Sequence, residues 1–347
     1  MPPRPPCAKG FYGDCMRNTG GAMRTVSAVV LTYNRKDLVE ECLKAIQAQT
    51  VPVERIIVID NGSSDGTAEM LARNWADRIE LHILPKNVGA AGGFNTGIRM
   101  AYRAQADGIW VMDDDVIPDP DALEKLLDAD RLLRAREIDP PFVVSTARTP
   151  GGIVTNVPDI DLSRNSLSYQ NWPELLEHCL VPVRRATFVS ILMPRATLDQ
   201  FGLPIASMFI WGEDTEYTTR ITRERPGYLV GDSKAVHVRQ LDGKLDIRTE
   251  VNPTRIGYHY YFLRNQAYNV RRYQSKGAFI RHVARQGKLA LQLLLSGRFG
   301  KARIVAAGTL SGMLFHPAIE AADAPVDMSG WQSFMIVADK LLQQTAA

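Results

Sequence analysis

Three consecutive carboxylates, Asp113-Asp114-Asp115, stand directly behind the apolar run Gly108-Ile109-Trp110-Val111-Met112. An acidic cluster at the exit of a buried strand is poorly placed for packing. It is well placed for a hard divalent cation, which takes oxygen ligands and bridges to phosphate. A second acidic group, Gly212-Glu213-Asp214-Thr215-Glu216, follows about one hundred residues later. His237, in Lys234-Ala235-Val236-His237-Val238, lies 23 residues after Asp214. A neutral imidazole can complete a metal site begun by two carboxylates.

These groups need a scaffold, and the first part of the chain supplies a regular one. Strand-like runs cover Val26 to Thr32, Arg55 to Asp60, Ile79 to Leu84 and the segment ending at Asp113. Each ends in polar residues. A helix is expected from Lys36 to Ala48, with Leu38, Cys42, Ala45 and Ile46 on one face. Another follows the loop 61–67, with Ser64 or Asp65 as N-cap, and a third runs from the glycine-rich segment 87–95 to Ala104. This βαβαβαβ order predicts an α/β fold, a Rossmann-like, mostly parallel sheet flanked by helices. In such sheets ligands collect at the carboxyl ends of the strands. Asp121 to Arg136 reads as a further helix, closed by Pro140-Pro141. Residues 142–245 are less regular and continue the same domain, and residues 255–315 read as helical. The expected division is a leader (1–22), a catalytic domain (23–245, with a nucleotide-binding half 23–130 and an acceptor half 131–245) and a basic, mainly helical region (246–347).

The net charge of +3 over 347 residues hides an asymmetry. Val251 to Ile319 contains no Asp or Glu and eleven Lys and Arg, so the rest of the chain carries −8. An acidic body without a recognised binding module argues against a nucleic-acid partner. No apolar run reaches the ~18 residues of a membrane-spanning helix. The four cysteines, Cys7, Cys15, Cys42 and Cys179, have neither zinc-knuckle nor disulfide-framework spacing, which points to a reducing, cytoplasmic compartment. Residues 1–22 are Pro- and Gly-rich and read as disordered, with Met23 as an alternative start.

Taken singly, Asp60-Asn61-Gly62 can be a turn, Gly92-Gly93 a helix entry, and Asp113 to Asp115 a solvated loop. Their order and spacing say more. Leu31-Thr32-Tyr33-Asn34-Arg35, then Val58-Ile59-Asp60-Asn61-Gly62-Ser63-Ser64-Asp65-Gly66-Thr67, then Asn87 to Asn95, then Met112-Asp113-Asp114-Asp115, resemble the family 2 glycosyltransferases over residues 24–240. The resemblance implies a GT-A fold and inverting transfer from a nucleotide-diphosphate sugar. It places Thr32, Tyr33 and Arg35 around the nucleotide, with Asn61 and Asn87 on the same donor. Asp60 would accept from the imide N–H of a uracil or thymine. Gly92 and Gly93 would let backbone approach the donor at a helix start. Asp113 and Asp114 would hold the donor, and Asp113, Asp115 and His237 a Mn2+ or Mg2+ ion. The base that takes the acceptor hydroxyl's proton matches Asp214 best; Glu213 would orient substrate and, with Trp211, meet the acceptor. An exposed helix N-terminus would also favour such acids.

Phe209-Ile210-Trp211-Gly212-Glu213-Asp214, the later histidine and Tyr260-Tyr261-Phe262-Leu263-Arg264-Asn265 together look like actinobacterial galactofuranosyltransferases. These use UDP-galactofuranose and a polyprenyl-linked glycan acceptor. The polymer-forming ones carry Trp-Asp-Asp-Ala-Asp, whereas here Gly212 intervenes after Trp211. Rhamnosyltransferases using a dTDP sugar share much of the pattern and are the alternative. A nucleotidyltransferase would need a lysine-containing, Gly-rich first loop, which Leu31 to Arg35 lacks; an inactive membrane-associated scaffold is the non-catalytic alternative. Apolar residues at 279, 280, 283, 290, 291 and 294, beside Arg281, Arg285 and Lys288, describe a basic amphipathic helix. Such a helix suits peripheral contact through 271–303 with the inner face of the cell membrane.

Overall fold

The computed structural model describes residues 23–238, 245–326 and 329–334. The expected leader and the last part of the expected C-terminal region lie outside the described residues. The chain begins β1 (Val26–Thr32), α1 (Lys36–Gln47), β2 (Arg55–Asp60), α2 (Thr67–Asn74), β3 (Glu80–Ile83), α3 (Gly89–Arg103) and β4 (Gly108–Asp113). It continues with β5 (Val116–Pro118), α4 (Ala122–Ala135), β6 (Val143–Arg148), β7 (Val154–Thr155), β8 (Asp159–Ile160), β9 (Leu180–Arg185) and β10 (Ile191–Pro194). Then come α5 (Arg195–Phe201), α6 (Glu213–Ile221), β11 (Gly227–His237), α7 (Pro253–Tyr273), α8 (Lys276–Leu295), α9 (Phe299–Leu314) and β12 (Gln332–Phe334).

One sheet runs in the order β12-β3-β2-β1-β4-β10-β6-β11-β9-β8. Strands β3, β2, β1 and β4 are parallel to one another, as the βα alternation requires. Beyond β4, β10 enters antiparallel, followed by the parallel pair β6 and β11. The less regular sequence from 142 onward thus becomes the mixed half of the same sheet. Every residue of β1 is buried, because helices cover both sheet faces. Its alternating side chains feed two cores: Ala28 and Val30 pack with α1, α2 and α4, while Val29 and Leu31 pack with α3. The buried face of α1 is Val39, Cys42, Leu43 and Ile46, rotated from the expected one, so Leu38 and Ala45 are only half-buried.

The α2 entry differs from expectation. Gly66, at φ +85°, takes the N-cap, and Asp65 acts one residue earlier, accepting from the Thr67 N–H at 3.0 Å. The basic stretch forms three helices, broken at Gln274-Ser275 and Ser296–Arg298. Asn252 and Ser275 cap α7 and α8 by accepting from the Arg255 and Ala278 N–H groups. Helix α9 lies very close to α7: a Cβ on Gly308 would stand 2.7 Å from the Tyr260 carbonyl oxygen. The shared core of the three helices includes Leu263, Leu293 and Val305.

Candidate active site

The parallel register sets Leu31 opposite Asp113, so the residues leaving β1 and β4 emerge side by side. Thr32 Oγ1 donates to Asp114 Oδ2 at 2.8 Å. Arg35, at the start of α1, uses one nitrogen for two acids: Nη1 donates to Asp114 Oδ1 at 2.9 Å and Asp115 Oδ2 at 2.8 Å. Burial pushes Asp114 up to about 6 against the pull of Arg35. Burial, then the charges of Asp115 and Asp114, push Asp113 well above the usual carboxylate range. Asp115 lies below it: burial opposes this, but the neighbouring His237 and Arg35 outweigh burial.

His237 reaches the triplet because β11 pairs with β5, setting His237 opposite Val116. Its Nδ1 lies 2.8 Å from Asn156 Oδ1, which has only a lone pair to offer. Nδ1 therefore carries a proton. Nε2, on the other side of the ring, lies 3.1 Å from Asp115 Oδ1. That oxygen is buried and has no hydrogen-bond donor. An imidazole nitrogen and a carboxylate oxygen this close in a buried site can both turn to a divalent cation, with Asn156 fixing the ring from behind. Among the described residues no three His, Cys, Asp or Glu side chains already converge on one point. Of the expected trio, Asp115 and His237 meet directly, without Asp113 joining them in one cluster. Mg2+ and similar ions commonly use one or two protein ligands and take the rest from phosphate and water, so the residues present fit such an ion.

Asn61 and Asn87 hold the loop before α3. Asn61 accepts from the Val88 N–H at 2.9 Å and donates to the Gly89 carbonyl at 3.2 Å, while Asn87 accepts from the Gly89 N–H at 2.7 Å. Gly89, at φ +79°, starts α3 against the backbone and ring of Phe209, leaving no space for a Cβ. Gly89 lines the site, as does Gly212. The expected donor glycines do other work: Gly93 packs against Leu31 and Gly92 against Val88, inside the helix. Asp60 is fully buried; Oδ1 accepts from the Ser63 N–H at 2.8 Å, and Oδ2 has no partner. Burial raises its pKa.

The second acidic group opens α6. The chain reaches it through left-handed residues Phe209 (φ 65°), Trp211 (φ 60°) and Gly212 (φ 119°). This turn is held from both sides. The Phe209 carbonyl accepts from the Ala91 N–H of α3 at 2.9 Å. Asn265 of α7 donates to the carbonyls of Met208, Ile210 and Trp211 at 2.9, 3.2 and 3.1 Å, and Arg264 to that of Ser207 at 2.7 Å. Trp211 lies edge-on among Tyr258, His259 and Phe262. Glu213 is buried and its Oε2 has no partner. Burial, then the charge of Asp214, push it up to about 8. Asp214 accepts from the Thr215 N–H at 2.6 Å; burial raises it against that bond and the nearby Arg185.

Both acidic groups open on one cavity of about 1470 Å³. Every residue singled out from the sequence lines it except Asp60, Gly92 and Gly93. Asn156, Asn265 and Arg264 were not singled out as site residues. Their roles depend on a strand pairing and a left-handed turn that no local sequence pattern announces.

The glycosyl transferase family 2 model matches residues 27–136. The galactofuranosyltransferase GlfT1 of Mycolicibacterium smegmatis is 28% identical over 207 residues, 57% of this chain and 65% of that protein. The undecaprenyl-phosphate mannosyltransferase of Micrococcus luteus is 28% identical over 146 residues, 42% of this chain and 56% of that protein. The match thus spans less than two thirds of either relative's length. The crystal structure of GalNAc-T7 with UDP, GalNAc and Mn2+ superposes with a TM-score of 0.52 at 14% identity, covering 75% of this chain and 55% of that one. It shares the fold. Residues 27–136, which begin at β1 and carry the aspartate triplet, are thus similar to the family 2 glycosyltransferases, and the sheet and its flanking helices have a GT-A-like fold.

Proposed function

We propose that the protein is a metal-dependent, inverting hexosyltransferase. It moves galactofuranose from UDP-galactofuranose onto a polyprenyl-linked surface glycan at the inner face of the cell membrane. One observation carries the reading: the triplet at the end of β4 and the acidic start of α6 face the same cavity. The similarity to the galactofuranosyltransferase GlfT1 supports the choice of sugar.

In this reading Thr32, Tyr33 and Arg35 hold the nucleotide end and Asp113 and Asp114 the donor's ribose side. The buried, unpartnered Asp60 Oδ2 meets an imide N–H once the Thr32-Tyr33 loop adjusts. Asp115 and His237 would hold a divalent cation, which when bound would supply charge neutralisation for a diphosphate leaving group. Two neighbouring acids divide the remaining work because their surroundings differ. Glu213 keeps its proton near neutral pH and donates a hydrogen bond to substrate. Asp214, held by a backbone N–H, is the carboxylate that accepts the acceptor hydroxyl's proton. The freed oxygen bonds to the anomeric carbon as the bond to the nucleoside diphosphate breaks on the opposite face. Exposed Ile280, Leu291, Leu294, Leu295 and Phe299, among basic residues, support the membrane contact. Among the described residues no helix is long and apolar enough to cross a membrane.

The test is nucleotide release by purified protein with Mn2+, a lipid-linked acceptor and a panel of sugar nucleotides. UDP release that requires galactofuranose is expected. Release of dTDP from dTDP-rhamnose would move the donor to the rhamnosyl class, and no release from any donor would refute the transferase reading.

A further inference from the structure

The cavity does not end at Trp211. It continues along α7 and α8, where Asn269, His282 and Gln286 line it. His282 and Gln286 are one turn apart on α8 and 7% and 9% exposed. His282 Nε2, Gln286 Oε1 and Asn269 Oδ1 are all buried without a hydrogen-bond partner. Three such groups on one wall are costly unless something meets them. Asn269 is fixed in place, since its amide donates to the Gly212 carbonyl at 3.3 Å, one residue from Glu213. Beside this wall Arg281 and Arg285, again one turn apart, line the same cavity. Both are exposed, and no acid lies within the stretch from Val251 to Ile319 to pair with them.

The chemistry of the wall is specific. Two amide oxygens and an imidazole suit hydroxyl groups, which donate and accept. Two neighbouring guanidinium groups suit phosphate oxygens. We propose that Asn269, His282 and Gln286 bind the glycan head of the acceptor, while Arg281 and Arg285 bind the anionic phosphate or diphosphate that joins it to its carrier. The inference rests on the transferase reading and deepens it: the C-terminal helices are a wall of the acceptor site as well as a support for the Trp211 turn.

The test uses the full chain with Mn2+ and two probes. One is a short galactofuranose oligosaccharide on decyl diphosphate, the other the same glycan as a neutral decyl glycoside. Binding is measured by calorimetry, and donor-only UDP release is followed in parallel. The double variant Arg281→Ala/Arg285→Ala, at exposed positions, should bind the diphosphate probe about tenfold more weakly and the neutral probe unchanged. Gln286→Leu should weaken both probes, and donor-only release should stay at the wild-type rate in every variant. Wild-type affinity for both probes in these variants would overturn the proposal, since the wall would then be satisfied by water alone. Inorganic pyrophosphate binding as tightly as the diphosphate glycan would overturn its glycan half. If the variants lose the probes but no donor is ever cleaved, the transferase reading fails and the glycan-phosphate site stands.

Discussion

Replacing Glu213 by Gln should change how stability depends on pH. The carboxyl is buried, its Oε2 lacks a donor, and its pKa rises from 4.5 to about 8. Between those values the unfolded chain holds fewer protons than the folded one, so stability falls as pH rises. The interval is about 3.5 units, and at about 1.4 kcal/mol per unit the ceiling is roughly 5 kcal/mol. Water entering the open cavity screens part of this, leaving a few kcal/mol. With an unfolding entropy of about 2.1 cal/mol/K per residue, a chain of this length shifts about 1.4 °C per kcal/mol, or at most roughly 7 °C. The assay is Tm against pH from 5 to 9, in chelator, for wild type and Glu213→Gln. The wild type should lose several degrees more than the variant between pH 5 and 8. Relief of Asp113, whose pKa Glu213 also raises, acts in the same direction. Parallel curves would refute the reasoning: Glu213 would then be ionised in the folded state, and the division of roles with Asp214 would fall with it.

Asp214→Asn should lower transfer by about 10²- to 10⁴-fold with UDP affinity within twofold of wild type; loss of UDP binding in calorimetry would remove Asp214 from the role of base. Asp115→Ala and His237→Ala should each weaken Mn2+-dependent nucleotide binding by about tenfold or more, and an unchanged Mn2+ titration would exclude the pair as ligands. Gly89→Ala should cost about 2–4 kcal/mol in urea denaturation, because its left-handed backbone and the adjoining Phe209 backbone leave no room for a methyl group; an unaltered midpoint would contradict that packing.

The parallel half of the fold was legible because each strand is a continuous apolar run closed by polar residues. The runs through Thr32, Asp60 and Asp113 need no tertiary information to be read as buried strands. The triplet and the pair Glu213-Asp214 were legible for a related reason: carboxylates at element ends have no packing role. The glycines were harder. Gly92-Gly93 looks like a phosphate loop, yet both sit inside α3, where lack of a side chain lets the helix approach Leu31 and Val88. Within that segment the glycine with the left-handed backbone is Gly89, and φ is invisible in a sequence. The antiparallel insertion of β10 between β4 and β6 depends on long-range pairing, which residues 142–194 do not advertise through periodicity. The helical reading of 255–315 held, but what α7 does was hidden: Asn265 caps no helix and instead holds three carbonyls of a turn more than fifty residues earlier.

The charges around the cavity lead to a further test. Asp113, Asp114, Asp115 and Asp214 face it, as does Glu213, which keeps its proton near neutral pH, while Arg281 and Arg285 line it along α8. Among the described residues Arg35 is the cation hydrogen-bonded to the triplet, while Arg184, Arg185 and Arg255 on the cavity wall are already paired with Asp161, Asp159 and Glu250. A diphosphate that reaches the triplet meets three carboxyl groups and one bonded cation at low effective dielectric, where repulsion is strong. A nucleoside carries no such charge. Removing divalent metal should therefore weaken UDP binding by at least about tenfold, roughly 1.4 kcal/mol, and leave uridine binding almost unchanged. Calorimetry of both ligands in Mn2+ and in chelator separates the two effects. Equal metal dependence for uridine and UDP would mean that the cation shapes the pocket instead of neutralising the phosphates. Metal independence of both would mean that Arg35 alone suffices, and that Asp115 and His237 meet as an ion pair and not as metal ligands.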